Sequence, residues 1–126
     1  MKNILWLLFV FGFSFPNLQA YRFESKKMQL NIEWDPEKAN NNKKKHKINF
    51  ELAATIFNDK QALSLFDHEH SDSVEERWIT LGLSPNGNLL VVVHTYNEIN
   101  NDLARIRIIS ARKATEKESL QYIKGE

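Results

Sequence analysis

Cysteine is absent from this 126-residue chain, which excludes disulfides, thiolate metal ligands and cysteine nucleophiles. Low-complexity tracts and internal repeats are also missing, so repeat architectures do not apply. Long hydrophobic runs are scarce. The longest, Ile4 to Phe15, is too short to span a bilayer comfortably. Set between Lys2 and Asn17-Leu18-Gln19-Ala20, it has the layout of a secretory signal peptide. Met28 stands just before the first patterned segment and offers a second start, which would make residues 1–27 an upstream leader. The remainder, residues 28–126, suits one domain with one modest core. An excess of positive charge is lacking as well. Of the 17 basic and 16 acidic residues, four and one respectively precede Met28, leaving 13 against 15 and a net charge of −2. No global positive field attracts nucleic acid, so phosphate contacts must come from local clusters. Two stretches supply them: Lys43 to Lys47, and Arg105 to Lys113.

What is present reads as an α+β chain. Gln29 to Trp34 alternates polar and apolar residues as a strand does. Asp35-Pro36 then gives a cap and a first-turn proline to a helix running to about His46. That helix is polar almost all round and should hold on by few side chains. Asn49 caps a second helix, whose Phe50, Ala53, Ala54 and Phe57 make one apolar face, widened by Ile56. Strands follow at Ala62 to Phe66, Glu75 to Ser84, Leu89 to Tyr96 and Ala104 to Ala111. The unbroken Leu89-to-Val93 run predicts a central strand covered on both faces. Thr115 and Glu118 form a capping box for a last helix ending near Gly125. The order β-α-α-β-β-β-β-α, with consecutive hairpins, predicts a small antiparallel sheet with helices packed against it.

Pro85-Asn86-Gly87-Asn88 is a strong hairpin signal, and Asn-Gly suits a two-residue type I′ loop. That loop would pair Ser84 with Leu89, Leu81 with Val92, Ile79 with His94 and Arg77 with Tyr96. Arg77, His94 and Tyr96 would then gather at one end of one sheet face. Arg105 and Arg107 share a parity and project from one face, and Arg112 and Lys113 extend the basic stretch. Arginines beside an aromatic and a histidine are what phosphate and base contacts require. The same arginines could instead be solvated and paired with Glu75, Glu76, Glu98 or Asp102. His68-Glu69-His70, between Asp67 and Asp72, offers metal-ligand atoms but reads more simply as a solvated loop. The Lys43-to-Lys47 run fits RNA phosphates, and equally a helix C-terminus whose dipole favours cations.

Four blocks resemble the BrnT family of toxins: Ile32 to Ala39, Asn41 to Ala53, Glu75 to Gly82 and Arg105 to Thr115. They occur in the family's order across nearly all of residues 28–126. The resemblance implies a RelE-like fold and RNA cleavage that blocks translation. It also implies neutralisation by a BrnA-type antitoxin, whose ribbon–helix–helix domain, and not the toxin, contacts operator DNA. A homodimer within that complex is compatible with it. Arg77, Trp78, Arg105 and Arg107 are the positions it marks most strongly, and Lys45 and His46 match the family's Lys-His block. Where related toxins often carry glycine after this histidine, the chain has Lys47; a positive φ there would cost about 1 kcal/mol. The last helix, with Glu116 and Glu118, is less basic than in similar toxins.

Together these readings predict a metal-independent endoribonuclease without cofactor. Arg77, Arg105 and Arg107 would stabilise phosphate charge, with His94 or His46 as acid or base. Trp78 or Tyr96 would stack a base, and Lys45, His46, Arg112 and Lys113 would hold RNA. A translation inhibitor works in the cytoplasm, which favours Met28 as the start and leaves residues 1–20 a signal peptide only if Met1 is used. The rival is a non-catalytic protein-binding module on the same sheet.

Overall fold

The computed structural model describes residues 28–126, so the leader readings for residues 1–27 lie outside the described residues. It is an α+β domain with one five-stranded sheet and three helices. The strands are β1 (Gln29–Trp34), β2 (Leu63–Phe66), β3 (Glu76–Leu83), β4 (Leu89–Glu98) and β5 (Leu103–Lys113). The helices are α1 (Pro36–His46), α2 (Phe50–Ala54) and α3 (Glu116–Lys124), with a 3₁₀ turn at Thr55–Asn58 continuing α2. Among the described residues no helix is long and apolar enough to cross a membrane.

The sheet order is β1-β5-β4-β3-β2, and here one expectation is corrected. Three pairings are antiparallel, but β1 runs parallel to β5, so the sheet is mixed. The reason is the crossover. After β1 the chain passes through α1, α2 and the 3₁₀ turn to the opposite edge, and the hairpins from β2 onward lead back to β1. β4 lies at the centre, as its apolar run requires, with Leu90, Val91 and Val92 all buried.

The core lies between one sheet face and α2 with its 3₁₀ turn. Asn49 caps α2 by accepting a hydrogen bond from Leu52 N–H at 2.8 Å. Phe50, Ala53 and Ile56 are fully buried, while Ala54 and Phe57 pack at the margin. This three-residue spacing departs from the i, i+3, i+4, i+7 stripe because the 3₁₀ turn has three residues per turn and brings Ile56 beneath Ala53. Opposite them stand Leu90, Val92, Ile106, Ile108 and Ala111. Ile108 and Ala111 both point inward because a bulge opposite Val93/His94 takes up the extra residue.

Polar α1 is held by Asn42, with Ala39 packed at the core margin. Asn42, its sole buried residue, donates to Ile48 O and Ala111 O and accepts from Ala111 N–H, at 2.9–3.0 Å. β1 ends at Trp34, opposite Ile108, so this amide satisfies the β5 edge beyond it. Helix α1 closes at Lys47 with φ 64°, the one non-glycine positive φ among the described residues. The departure from glycine there therefore falls on a left-handed position, with a cost of about 1 kcal/mol. α3 begins with the capping box of Thr115 and Glu118 and closes at Gly125, φ 79°.

Candidate active site

The β3–β4 loop decides which side chains share a face. Ser84 N–H donates to Asn88 O at 2.8 Å and Gly87 N–H to Ser84 O at 3.0 Å, so the loop is three residues, Pro85 to Gly87. Gly87 takes φ 88°, while Asn86 keeps a negative φ. This is a type I turn followed by a left-handed glycine, and Pro85 has the fixed φ that its first corner needs. The expected two-residue loop is thus corrected, and the register moves by one. Trp78 pairs with His94, Arg77 with Thr95 and Glu76 with Tyr96.

A one-residue shift sends side chains to the other face, and the expected cluster separates. Trp78, His94 and Tyr96 lie on the helix-covered face. His94 is 4% exposed and sits edge-on to Phe57 at 4.8 Å. Its Nδ1 donates to Thr95 O at 3.0 Å, which leaves Nε2 to accept from the Thr80 hydroxyl at 2.7 Å. Thr80 in turn accepts from Ser64 at 2.8 Å, closing a satisfied buried chain. Burial lowers the His94 pKa to about 4, so the ring is neutral near pH 7. It is out of reach of anything bound on the arginine face, which corrects its expected place beside Arg77. Tyr96 packs against the core, and burial raises its hydroxyl pKa well above the ordinary value. Trp78 is half-buried, edge-on to Phe66 at 5.1 Å, and its indole donates to Glu76.

The opposite face carries the arginines. Arg77 pairs across to Thr95, and Thr95 Oγ1 accepts from Arg107 N–H at 3.1 Å, so the three form a row over β3, β4 and β5. The next row is Asn97 with Arg105. Glu33 and Asn31 of β1 end these rows opposite Arg107 and Arg105. Arg107 is ion-paired with Glu75, which the sequence offered as one partner among four. Arg105 is exposed. Arg77 is half-buried, and its Nε is buried with no hydrogen-bond partner. A buried unsatisfied guanidinium N–H is costly, and an incoming anionic oxygen would relieve it.

Other candidates stand apart. Arg112 is held in a two-bond fork by Glu118, both at 2.9 Å. The Arg112 bond is also the main cause that holds the Glu118 pKa down at about 2. Lys113 is exposed at the end of β5. Lys45 and His46 line a shallow groove with Lys38, Asn41 and Asn42, against Ile109 and Ser110 of β5. Ile109 follows Arg105 and Arg107 in parity, so the groove adjoins the arginine face. His70 is tied to Asp67 Oδ2 at 2.9 Å, and His68 rests edge-on to Phe66. Among the described residues no group of three or more acidic or histidine side chains is placed to hold a metal. Thr95 and Asn42, which fix the arginine row and α1, were not singled out from the sequence. Nothing in the local pattern distinguishes Asn42 from Asn40 and Asn41.

Residues 34–118 match the family model described as the ribonuclease toxin BrnT of type II toxin–antitoxin systems. The chain belongs to the BrnT family. It is similar in structure to the Brucella abortus ribonuclease toxin BrnT, with a TM-score of 0.42 and 17% identity. That match covers 70% of this chain and 100% of the Brucella one. No curated protein sequence matches it. As a BrnT-family member the chain is a ribonuclease toxin of a type II system, which implies an antitoxin partner.

Proposed function

We propose that this BrnT-family chain is an endoribonuclease that cleaves RNA on its arginine face without a metal and so blocks translation in the cytoplasm. The observation that supports this reading best is the row of Arg77, Thr95 and Arg107 beside Arg105, with Arg77 Nε buried and unpartnered. In the mechanism proposed, the 2′-oxygen attacks the adjacent phosphate while the guanidiniums stabilise the charge that develops on its oxygens. Lys45 and His46, in the groove beside Ile109, would guide the strand, while Trp78, on the covered face against Phe66, falls outside this contact. A BrnA-type ribbon–helix–helix antitoxin would neutralise the toxin, leaving operator DNA to the antitoxin.

Purified protein incubated with RNA tests this directly. Arg77→Ala should lower cleavage about 10²–10³-fold, the usual loss for one transition-state donor. Cleavage by wild type should survive excess EDTA. Activity abolished by chelation and restored by zinc or manganese would assign the chemistry to a metal, and an unimpaired Arg77→Ala would move it off this face.

A further inference from the structure

We propose that Glu75 is the general base that takes the proton from the attacking 2′-hydroxyl; this rests on the ribonuclease reading above. The mechanism needs a proton acceptor on the arginine face, and histidine does not supply it there. His94 is buried on the opposite face, His46 lines the groove between α1 and β5, His68 rests edge-on to Phe66, and His70 is tied to Asp67. Two carboxylates bear on Arg107: Glu75, its ion-pair partner, and Glu33, its register partner on β1. Glu33 stands at the outer edge on β1 and forms no ion pair among the described residues. Glu75 touches Arg107 directly through Oε2 and Nη2, and its side chain is 44% exposed, open to a substrate.

The backbone around Glu75 is fixed. Asp72 Oδ1 accepts from both Glu75 N–H and Val74 N–H at 2.8 Å, and Asp72 N–H donates to Glu75 O at 3.1 Å. Two residues on, Arg77 N–H donates to Ser71 Oγ at 2.8 Å. Glu75 is thereby set at the mouth of β3, over the Arg77–Thr95–Arg107 row. A guanidinium has five N–H donors in a planar fork, so Arg107 can hold a phosphoryl oxygen with one edge while Glu75 occupies another. The carboxylate then sits beside the 2′-hydroxyl of the sugar bearing that phosphate. Its oxygen accepts the hydroxyl proton as the 2′-oxygen–phosphorus bond forms. The phosphorus–5′-oxygen bond breaks, and the departing 5′-oxygen keeps the electron pair and takes a proton from water. The products are a 2′,3′-cyclic phosphate and a 5′-hydroxyl end.

Glu75→Gln tests the assignment because the amide oxygen still accepts from Arg107 but is a far weaker proton acceptor. Wild type, Glu75→Gln, Glu75→Asp and Glu33→Gln are compared on oligoribonucleotides and in a translating extract, with 2′-O-methyl RNA as the uncleavable binding probe. Glu75→Gln should lose about 10²–10⁴ in kcat, the range for a general base. Its melting temperature and its affinity for 2′-O-methyl RNA should be unchanged. Glu75→Asp should keep part of the rate, and Glu33→Gln nearly all of it. A Glu75→Gln protein that cleaves like wild type overturns the proposal and leaves the ribonuclease reading standing. So does one that loses probe binding but not kcat, since Glu75 would then act only by positioning Arg107. Wild type that cuts no RNA in either setting overturns both.

Discussion

The two faces of the sheet are made from the same strands and have been given opposite tasks. On the helix-covered face no buried side-chain polar atom among the described residues lacks a partner: Ser64, Thr80, His94 and the Thr95 carbonyl form one closed chain among apolar side chains. On the other face polarity is left open, with Arg105 exposed, Arg77 Nε unpartnered and Arg107 held by a single carboxylate. A histidine on the first face contributes to stability, whereas an arginine on the second adds little to it and is available to a substrate. Residue type alone does not separate these roles; the side of the pleat does.

Acid should break the covered face first. The His94 pKa is lowered from 6.5 in the unfolded chain to about 4 when folded. A depressed histidine pKa gives stability that is complete above pH 6.5 and lost as pH falls toward 4, because the unfolded chain binds the proton first. The loss across that window should be about 3 kcal/mol, read from urea unfolding at stepped pH. His94→Gln should show a flat profile from pH 6.5 down to 4.5, where Glu118 begins to titrate.

A smaller effect lies at α3. Glu118 is paired with Arg112 and completes the capping box, and its pKa falls from 4.5 to about 2. Its contribution is present above pH 4.5 and disappears as pH drops toward 2. The pair is partly exposed, so screening reduces the gain, and Glu118→Gln should cost about 1 kcal/mol near neutral pH. Glu118→Ala removes the fork outright and frees Arg112. If RNA affinity then rises, Arg112 joins the arginine face; if only stability changes, it is a helix anchor.

Much of this division can be read in the sequence, and the part that cannot has a definite cause. Local chemistry places elements well: Asn49 and Thr115 with Glu118 start helices, and Gly125 ends one, where their side chains or φ angles demand. The parity of Arg105 and Arg107 is likewise local to one strand. The grouping of Arg77 with His94 depends on a loop, and Asn86-Gly87 serves a two-residue turn and a three-residue turn with a left-handed glycine equally well. Pro85 was the signal for the longer one. A single residue of loop length moved His94 and Tyr96 to the covered face. The parallel β1–β5 pairing and the Asn42 bridge are long-range and have no local pattern at all.

The central claim is that the arginine face acts in chemistry and not in folding. Arg105→Ala combined with Arg107→Ala, followed in parallel by urea unfolding, RNA cleavage and growth arrest, tests it most directly. The account predicts unfolding within about 0.5 kcal/mol of wild type, as for surface substitutions, together with loss of cleavage and of growth arrest. A folded double variant that cuts RNA and arrests growth as wild type does would contradict it.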